Sequence, residues 1–462
     1  MHYQSLDVDL ELVAKLNGNG PRYTSYPTAD RFVDTFDGAR YARWAGVRNL
    51  AGAQRPLSLY VHLPFCRSLC YYCACNKIIT RDAEKAGKYL RYLTREIGLQ
   101  ARLFHRDARV EQMHWGGGTP TFYQLRELTE LFATLRAEFD FSADGEYSIE
   151  IDPRSVERET IAALRAMGFN RVSFGVQDFD PDVQRAINRV QSGAQTYAVI
   201  EAARRASYAS VSIDLIYGLP RQSLQSFGAT LDRVVELRPD RLAVYSYAHL
   251  PGRFRAQKQI AKHEIPPPEV KLKLLGLAAE KLTRAGYVYI GMDHFALPED
   301  ALAVAQRQGR LQRNFQGYST HAECDLVGFG VSAIGAVGPT YSQNARTLAE
   351  YYGRLEREEL PIVRGIELTR DDLVRRSVIQ MLMCHFELSK EAIEVSHLVD
   401  FDSYFARELV ELEDLARHGL LHMDEQWISV TPKGRLLIRS ICMVFDRYLR
   451  QESDVQRYSR TI

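Results

Sequence analysis

The amino-acid sequence predicts an α/β fold built on a partial (βα)6-type barrel, with an N-terminal covering segment and a mostly helical, winged-helix-like C-terminal domain. Six apolar, β-rich runs alternate with amphipathic runs between about residues 57 and 295. Polar or glycine residues follow nearly every apolar run, and the chain becomes helical after about residue 365. Alternating strands and helices form parallel sheets, and barrel active sites lie at the carboxyl ends of the strands.

The six predicted strands are separated by 25–55 residues, which is the spacing of βα units. They are LSLYVHLPF (57–65), EQMHWGGG (111–118), EYSIEIDP (146–153), RVSFGVQDF (171–179), SVSIDLIYGLP (210–220) and RLAVYSYAHL (241–250). Amphipathic runs at 88–104, 127–139 and 159–169 predict helices between them. No GxGxxG fingerprint opens the first unit, which disfavours a doubly wound dinucleotide-binding sheet.

The sequence predicts four segments along the chain. They are an N-terminal segment that covers the active site (1–55), the barrel (56–300), a connector that completes the active site (301–364) and the C-terminal domain (365–462). The last segment contains a predicted helix at 371–386 and, at 419–449, a short hairpin followed by a helix. Because that second helix is apolar and only weakly basic, we expect it to pack or to cover substrate rather than to bind DNA.

Charge and hydropathy exclude several function classes. The 462 residues carry a formal net charge of +1, so we expect no overall attraction to nucleic acid or to a membrane surface. The N-terminus lacks the apolar core of a signal peptide, and no run of 18 apolar residues is present to span a membrane. We therefore expect a cytoplasmic protein, with a monomer as the default. In that reducing compartment, seven cysteines indicate metal binding or catalysis rather than disulfides.

Four of the cysteines lie within ten positions of the stretch HLPFCRSLCYYCACNKI (62–78). Cys66, Cys70 and Cys73 form a C-x3-C-x2-C motif directly after the first predicted strand. A structural zinc site usually takes two separated ligand pairs, and a thioredoxin-like site needs only C-x2-C. Three thiolates on one loop suit three irons of a [4Fe–4S] cluster and leave the fourth iron open. We expect Cys75, one residue beyond Cys73, not to ligate.

The residues around the loop suit a small bound ligand. Tyr71 and Tyr72 precede the third cysteine, where an aromatic ring can stack on a purine. Gly116–Gly118 follows the second predicted strand and presents backbone groups without side chains, which suits a ligand with a carboxylate and an amine. Carboxylates and amides also lie near the ends of later strands, at Glu150, Gln177 and Asp214.

The cysteine motif and GGGTPT together resemble the motifs of radical S-adenosylmethionine enzymes. More specifically, PRYTSYPTA (21–29), GVQDF, SIDLIYGLP, YAHLP, GMDHFA and RNFQGY resemble segments of the oxygen-independent coproporphyrinogen III oxidase family. The resemblance extends from about residue 5 to the C-terminus. Ala74 departs from it, because the family commonly has glycine there. A heme-binding chaperone and a radical methyltransferase of the same superfamily, and a zinc-binding structural or regulatory protein, are the alternatives.

The resemblance implies an activity in anaerobic heme biosynthesis. A [4Fe–4S] cluster reductively cleaves S-adenosylmethionine, and the resulting 5′-deoxyadenosyl radical starts the oxidative decarboxylation of two propionates of coproporphyrinogen III. The propionates become vinyl groups, and the product is protoporphyrinogen IX. The family resemblance also implies a second S-adenosylmethionine molecule. We expect an electron donor such as flavodoxin or ferredoxin, although the sequence does not name it. About 55 residues precede the first strand, which favours the oxidase over the chaperone.

The resemblance further assigns residues to roles. The cluster ligands are Cys66, Cys70 and Cys73. Contacts to the cluster-bound S-adenosylmethionine are Tyr60, Gly117, Glu150 and Ile334. The expected catalytic group is Tyr60, Glu150 and Ile334 together with the active-site residues Phe315 and Gln316. Contacts to the second molecule are Tyr72, Gly118, Thr119, Gln177, Arg189, Asp214 and Ala248. We further hypothesise that Arg22 pairs with a substrate propionate, and we expect His62, His249 and His294 to be hydrogen-bonded within the barrel rather than to carry protons.

Overall fold

Six parallel strands form at the six predicted positions. The structure is a computed structural model that describes residues 6–16, 18–50, 55–450 and 458. The strands are Leu57–Leu63, Arg109–Gly117, Asp140–Ile151, Arg171–Gln177, Ser210–Tyr217 and Arg241–Ser246. Each pairs with the next along the chain. Because sequence neighbours are sheet neighbours, every crossover has the same sense and the helices cover one face of the sheet.

Helices connect the strands in the predicted alternation. The principal ones are Ala83–Ala101, Leu125–Glu138, Arg158–Met167, Gly193–Arg205, Leu224–Leu237 and Pro268–Arg284, with the short helix Pro181–Ala186 before Gly193–Arg205. Their starts follow local capping chemistry: Asp82 accepts hydrogen bonds from the backbone N–H groups of Glu84 and Lys85, and the Ser223 side chain accepts one from Ser226. Apolar residues on one side of each helix pack into the core that surrounds the sheet.

Three further strands extend the sheet beyond the six. Val288–Gly291 and His294–Ala296 add an antiparallel hairpin beside the sixth strand. Asp325–Phe329 pairs in parallel with the first strand, so part of the 301–364 segment that we expected to be a connector belongs to the main sheet. This strand carries a weak sequence signal, because it is only five residues long and contains glycine. No pairing joins the two edge strands among the described residues, so the barrel is partial, as predicted.

The remaining elements lie around this barrel. Before it come Leu10–Leu16 and Gly38–Leu50; after it come Ala301–Arg307, Gln312–Asn314, Gly317–Ser319, Ile334–Gly335, Thr340–Asn344, Leu348–Glu356 and Ile362–Glu367. The C-terminal domain contains Arg370–His385, Glu387–Ser389, Lys390–His397, Phe401–Tyr404, Ala406–Arg417, Leu421–Met423, Trp427–Val430, Ile438–Val444 and Arg447–Arg450. Its predicted hairpin forms within a three-stranded sheet, but the helix predicted to follow is divided into short pieces.

The N-terminal segment joins the barrel to the C-terminal domain. The Tyr23 hydroxyl donates to Asp446 over 3.0 Å, and the Arg439 side chain donates to the Pro21 carbonyl over 2.8 Å. Arg22 forms an ion pair with Asp293, which lies in the hairpin at the sheet edge. Tyr23 is fully buried, so this part of the segment is a structural layer.

A buried carboxylate fixes the helix Ala83–Ala101 to the 301–364 segment. Glu96 accepts four hydrogen bonds, from Gly330 N–H (2.7 Å), Asn344 Nδ2 (2.7 Å), Gln100 Nε2 (2.9 Å) and the Tyr351 hydroxyl (2.5 Å). Burial raises the pKa of Glu96 to about 7, although the four donors favour the ionised form. All four partners donate, so the site is matched to an acceptor-only side chain.

We expect Glu96→Gln to lower the free energy of unfolding by about 1–3 kcal/mol, because the new amide NH2 would face donors and leave buried groups unsatisfied. Urea unfolding of the purified protein measures the change. Glu236→Gln, an exposed position on the helix Leu224–Leu237, is the matched control and should change stability by less than about 0.5 kcal/mol. Equal stability of the two variants would contradict the role assigned to Glu96.

Candidate active site

The cysteine loop opens into a cavity of about 620 Å³ at the carboxyl ends of the barrel strands. Pairing of Phe65–Cys66 with Ile78–Ile79 closes the loop at its base. Cys70 is buried, Cys66 and Cys73 are half-buried, and all three line the cavity together with the exposed Cys75. The predicted loop thiols therefore lie at the barrel rim, where the active sites of such barrels are built.

The number of thiols in the loop fits an iron–sulfur cluster. Among the residues that the structure describes, one set of three metal-type ligands brings its donor atoms within 4.8 Å of one another: His321, Glu323 and Cys324, outside the loop. No three of the loop cysteines form such a set among the described residues. Three cysteines spread around one open cavity match the three-thiolate donor set of an iron–sulfur cluster.

Cys73 is the readily ionised thiol of the loop. A hydrogen bond with Cys75 and the charge of Lys77 lower the pKa of Cys73 to about 6. The same contact raises the pKa of Cys75 well above its ordinary value. Lys77 Nζ also donates to the Cys73 carbonyl over 2.8 Å, which fixes the turn.

A buried ion-pair group supports Cys70. Arg189 Nη1 lies 3.4 Å from the Cys70 sulfur and 3.1 Å from Asp152 Oδ2, and Arg154 Nη2 lies 2.7 Å from the same oxygen. Arg189 is 6% exposed, so its ion pair with Asp152 is buried and is not a surface salt bridge. Its internal partner is Asp152, while its Nε atom is buried without a hydrogen-bond partner among the described residues. No role was predicted for Asp152 and Arg154. The sequence feature that could have indicated one is the pair of charged residues in IDPR (151–154), at the end of a predicted strand.

Glu150 presents a carboxylate to the cavity from the end of the third strand. His114 Nε2 lies 3.0 Å from its Oε1, and Gly117 N–H donates to its Oε2 over 3.3 Å. Burial alone would raise the pKa of Glu150, but these hydrogen bonds and the His114 charge keep it below the ordinary value. His114 was not predicted; it lies on the second strand and stacks on Tyr60 with ring centroids 6.0 Å apart.

Asp214 presents a second carboxylate from the fifth strand. Ser173 donates to its Oδ1 over 3.2 Å. Burial and the nearby Glu150 charge raise the pKa of Asp214 to about 7. Two carboxylates therefore face one cavity, and a cationic ligand placed between them would favour the ionised form of both.

The glycine run after the second strand has a packing cause that the sequence did not reveal. A Cβ atom at Gly117 would lie 2.6 Å from the His62 ring, and one at Gly118 would lie 2.5 Å from the Pro64 carbonyl oxygen. Gly117 also has φ +113°, a conformation that L side chains rarely adopt. Both residues line the cavity, but protein atoms already occupy the space where a side chain would begin.

The structure divides the predicted site residues into two groups. Those lining the cavity are Cys66, Cys70, Tyr72, Cys73, Gly117, Gly118, Thr119, Glu150, Gln177, Arg189 and Asp214. Those outside that lining are Tyr60, Ala248, Phe315, Gln316 and Ile334.

The predicted residues outside the lining have other contacts. Tyr60 contacts His62 Nδ1 over 3.1 Å, and the Ala248 carbonyl accepts from Gln257 over 3.1 Å. Phe315 and Ile334 pack in an apolar cluster with Phe32 and Tyr341. Gln316 lines a smaller cavity that borders the first.

The structure gives two of the three predicted histidines the expected hydrogen bond, and it gives Arg22 a partner within the protein. His62 Nε2 lies 2.9 Å from the Asn76 carbonyl, and His249 Nδ1 lies 2.9 Å from the Tyr247 hydroxyl, so both are hydrogen-bonded as expected. The expectation is wrong for His294 Nδ1, which is buried without a partner among the described residues. Arg22 already pairs with Asp293 and lies over the Tyr245 ring, so its guanidinium is not held free for a propionate.

Comparison with known proteins identifies the family. Residues 60–234 match the Radical SAM superfamily and residues 368–437 match the HemN C-terminal domain. The chain is 51% identical to the oxygen-independent coproporphyrinogen III oxidase of Pseudomonas aeruginosa, over 98% of each chain. It is 50% identical to the enzyme of that name from Escherichia coli K12, over the full length of both.

The chain belongs to the oxygen-independent coproporphyrinogen III oxidase family.

The solved structures agree with this family assignment. The structure of coproporphyrinogen III oxidase (HemN) from Escherichia coli, described as a radical SAM enzyme, superposes with a TM-score of 0.92. That alignment covers 96% of this chain and 100% of the other, at 49% identity. A family member of this kind uses a [4Fe–4S] cluster and S-adenosylmethionine, and the three-cysteine cavity fits both. No helix in the described part of the chain is long and apolar enough to cross a bilayer.

Proposed function

We infer that this protein oxidatively decarboxylates two propionate side chains of coproporphyrinogen III to vinyl groups and so forms protoporphyrinogen IX. The observation that carries this conclusion is the cavity that combines three loop thiols with Glu150, Asp214 and Arg189 at the barrel rim. About half of the residues of this chain are identical to those of oxidases of that name, and the alignments cover nearly the full length of both proteins. Family membership favours this reading over the heme-binding chaperone and the methyltransferase.

The residues of the chain have separable tasks in this reaction. Cys66, Cys70 and Cys73 would hold the cluster, which with S-adenosylmethionine supplies the one-electron chemistry that forms a 5′-deoxyadenosyl radical. Asp152, Arg154 and Arg189 position Cys70 and place positive charge beside its sulfur.

We propose that the cavity takes two S-adenosylmethionine molecules. Its volume of about 620 Å³ and its two separate carboxylates, Glu150 and Asp214, support this reading, since each molecule carries a sulfonium and an ammonium group. Glu150 with Gly117 would contact the molecule at the cluster, and Asp214 with Gln177 and Thr119 the second. Roles for Tyr60, Ala248, Phe315 and Ile334, a flavodoxin- or ferredoxin-type electron donor, a monomeric state and a cytoplasmic location stay predictions.

An anaerobic assay tests the function. The cluster is reconstituted and reduced, S-adenosylmethionine and coproporphyrinogen III are added, and products are followed by mass spectrometry. We expect the loss of two carbon dioxide molecules per substrate together with 5′-deoxyadenosine. Cofactor cleavage with the porphyrinogen unchanged would exclude this substrate, and heme binding without cleavage would favour the chaperone.

We expect the affinity for S-adenosylmethionine to rise with pH through about 7. The pKa of Asp214 is raised to about 7, so below that pH a cationic ligand must displace its proton, which lowers the affinity by at most about tenfold per pH unit. The charged or titratable groups facing Asp214 are Glu150, His114, Arg189 and Tyr245. Anaerobic equilibrium dialysis between pH 6 and 8 measures this dependence. Asp214→Asn should flatten it, and an equally steep profile in that variant would contradict the assignment.

A further inference from the structure

The loop at residues 320–324 carries three potential metal ligands of different kinds. His321, Glu323 and Cys324 bring one nitrogen, one carboxylate oxygen and one sulfur within 4.8 Å of one another. No other three such ligands converge in this way in the part of the chain that the structure describes. His321 and Cys324 are half-buried, while Glu323 is exposed, so the group lies at the surface of the barrel with two of its members partly enclosed.

The register of the main sheet separates this group from the cysteine loop. Asp325 follows Cys324 in the chain and pairs with Leu57 at the start of the first strand, whereas Cys66 comes after the end of that strand at Leu63. At about 3.3 Å per residue, the 7 residues of the strand span on the order of 20 Å. The three ligands are therefore a site apart from the cluster cavity, at the opposite end of the strand.

A carboxylate behind His321 orients its ring. His321 Nδ1 faces Glu323 and its Nε2 faces Glu146, each with 3.8 Å between nitrogen and oxygen. Glu146 is itself fixed, because Arg171 pairs with it at 2.9 Å and the Thr320 hydroxyl donates to it over 2.8 Å. Histidines that bind metal ions commonly direct their second ring nitrogen to a carboxylate, which fixes the ring and raises its basicity. The arrangement leaves Nδ1 available to an ion shared with Glu323.

The neighbours of the loop leave one coordination position open. Asp325 is not a fourth ligand, because Arg48 Nε lies 2.6 Å from its Oδ2 and Gly338 N–H donates to its Oδ1 over 3.0 Å. Arg55, the nearby cation, pairs with the same carboxylate at 3.8 Å. Cys324 lines a cavity of about 380 Å³ between the barrel and the C-terminal domain, which gives room for a water ligand. Three protein ligands and one water make up a tetrahedral zinc site of the open kind.

We propose that His321, Glu323 and Cys324 bind a divalent transition-metal ion of the zinc type. An imidazole, a carboxylate and a thiolate together suit such an ion, whereas calcium and magnesium take oxygen ligands. Ligand atoms around tetrahedral zinc lie about 3.3–3.8 Å apart, and the exposed Glu323 side chain can move to meet that spacing. The Cys324 thiol releases its proton to solvent on binding. The ion would fix the loop that joins the strands Gly317–Ser319 and Asp325–Phe329.

The test measures Zn²⁺ binding to the protein with its cluster reconstituted, so that the three cluster cysteines are occupied. Anaerobic equilibrium dialysis gives the affinity, and metal analysis gives the zinc and iron content per chain. We expect one Zn²⁺ per wild-type chain without loss of iron. Cys324→Ser and His321→Gln should each weaken zinc binding by at least about 100-fold, since loss of a group behind a metal ligand already costs about 10- to 100-fold. His263→Gln, at an exposed position, is the matched control.

A thermal measurement accompanies the dialysis. A ligand that binds the folded protein raises its Tm by mass action, so Zn²⁺ should raise the Tm of the wild-type and control proteins and leave that of Cys324→Ser unchanged. Should neither half-buried position tolerate substitution, Glu323→Gln replaces those variants, because the Glu323 side chain is 58% exposed. The same loss of zinc binding is expected there.

Three results would overturn the proposal. They are a wild-type protein that binds no Zn²⁺ beyond its cluster, unchanged zinc affinity in the ligand variants, and binding that survives those variants but is lost in Cys75→Ser, which would place the ion at the cysteine loop. The site does not depend on the function inferred above. A protein that binds Zn²⁺ through these ligands but leaves coproporphyrinogen III unchanged would refute that function and support the site.

Discussion

Serine at Cys66, Cys70 or Cys73 is expected to abolish both the cluster absorbance and the formation of 5′-deoxyadenosine. A hydroxyl is a poor substitute for a thiolate toward iron, and three cysteines already leave one iron without a protein ligand. Each of the three thiols lines the same cavity. Cys75 is the one other thiol of the loop that could replace a lost ligand. Iron and sulfide analysis after anaerobic reconstitution, together with the visible absorbance of the cluster, measures cluster content.

Cys75→Ser is the matched comparison for these three variants. Cys75 is the most exposed thiol of the loop, and its contact with Cys73 raises its pKa well above the ordinary value. We expect Cys75→Ser to retain most of its cluster and its cofactor cleavage. A Cys75→Ser protein without iron, together with a Cys73→Ser protein that keeps it, would reverse the ligand assignment.

Glu150→Gln is expected to lower kcat/KM by about 100-fold while the cluster content stays at the wild-type level. The carboxylate accepts hydrogen bonds from His114 and from the Gly117 backbone, so it is held in one orientation at the cavity wall. An amide would turn an NH2 group toward one of these donors, remove a negative charge and shift the contact offered to a ligand.

The measurement for this variant pairs turnover with cofactor binding. We expect weaker S-adenosylmethionine binding by equilibrium dialysis and less 5′-deoxyadenosine per cluster. Glu159→Gln, an exposed position in the helix Arg158–Met167, is the control and should behave as wild type. Full activity of Glu150→Gln would show that the charge of Glu150 has no part in binding or positioning the cofactor.

The sequence alone determined the features whose cause is local. The three-cysteine spacing, the alternation of apolar runs with amphipathic helices, and the polar residues at strand ends lie within short stretches, and each specifies geometry through neighbouring residues. The six strands, the rim position of the site and the hairpin of the C-terminal domain followed from these patterns. Family motifs, again local, indicated the chemistry.

Only the tertiary structure decided which distant residues meet. Arg189 and Asp152 are 37 residues apart, and Arg22 and Asp293 are 271 apart; their pairing depends on strand order and register, which no local pattern encodes. The same holds for the strand Asp325–Phe329, which joins the sheet by pairing with Leu57–Leu63. Nothing in the local sequence indicates that Arg313 is buried. Arg313 is 3% exposed, and no ion pair joins it to a carboxylate among the described residues. This environment arises from the packing of the whole barrel, since burial and charge balance are properties of the assembled structure.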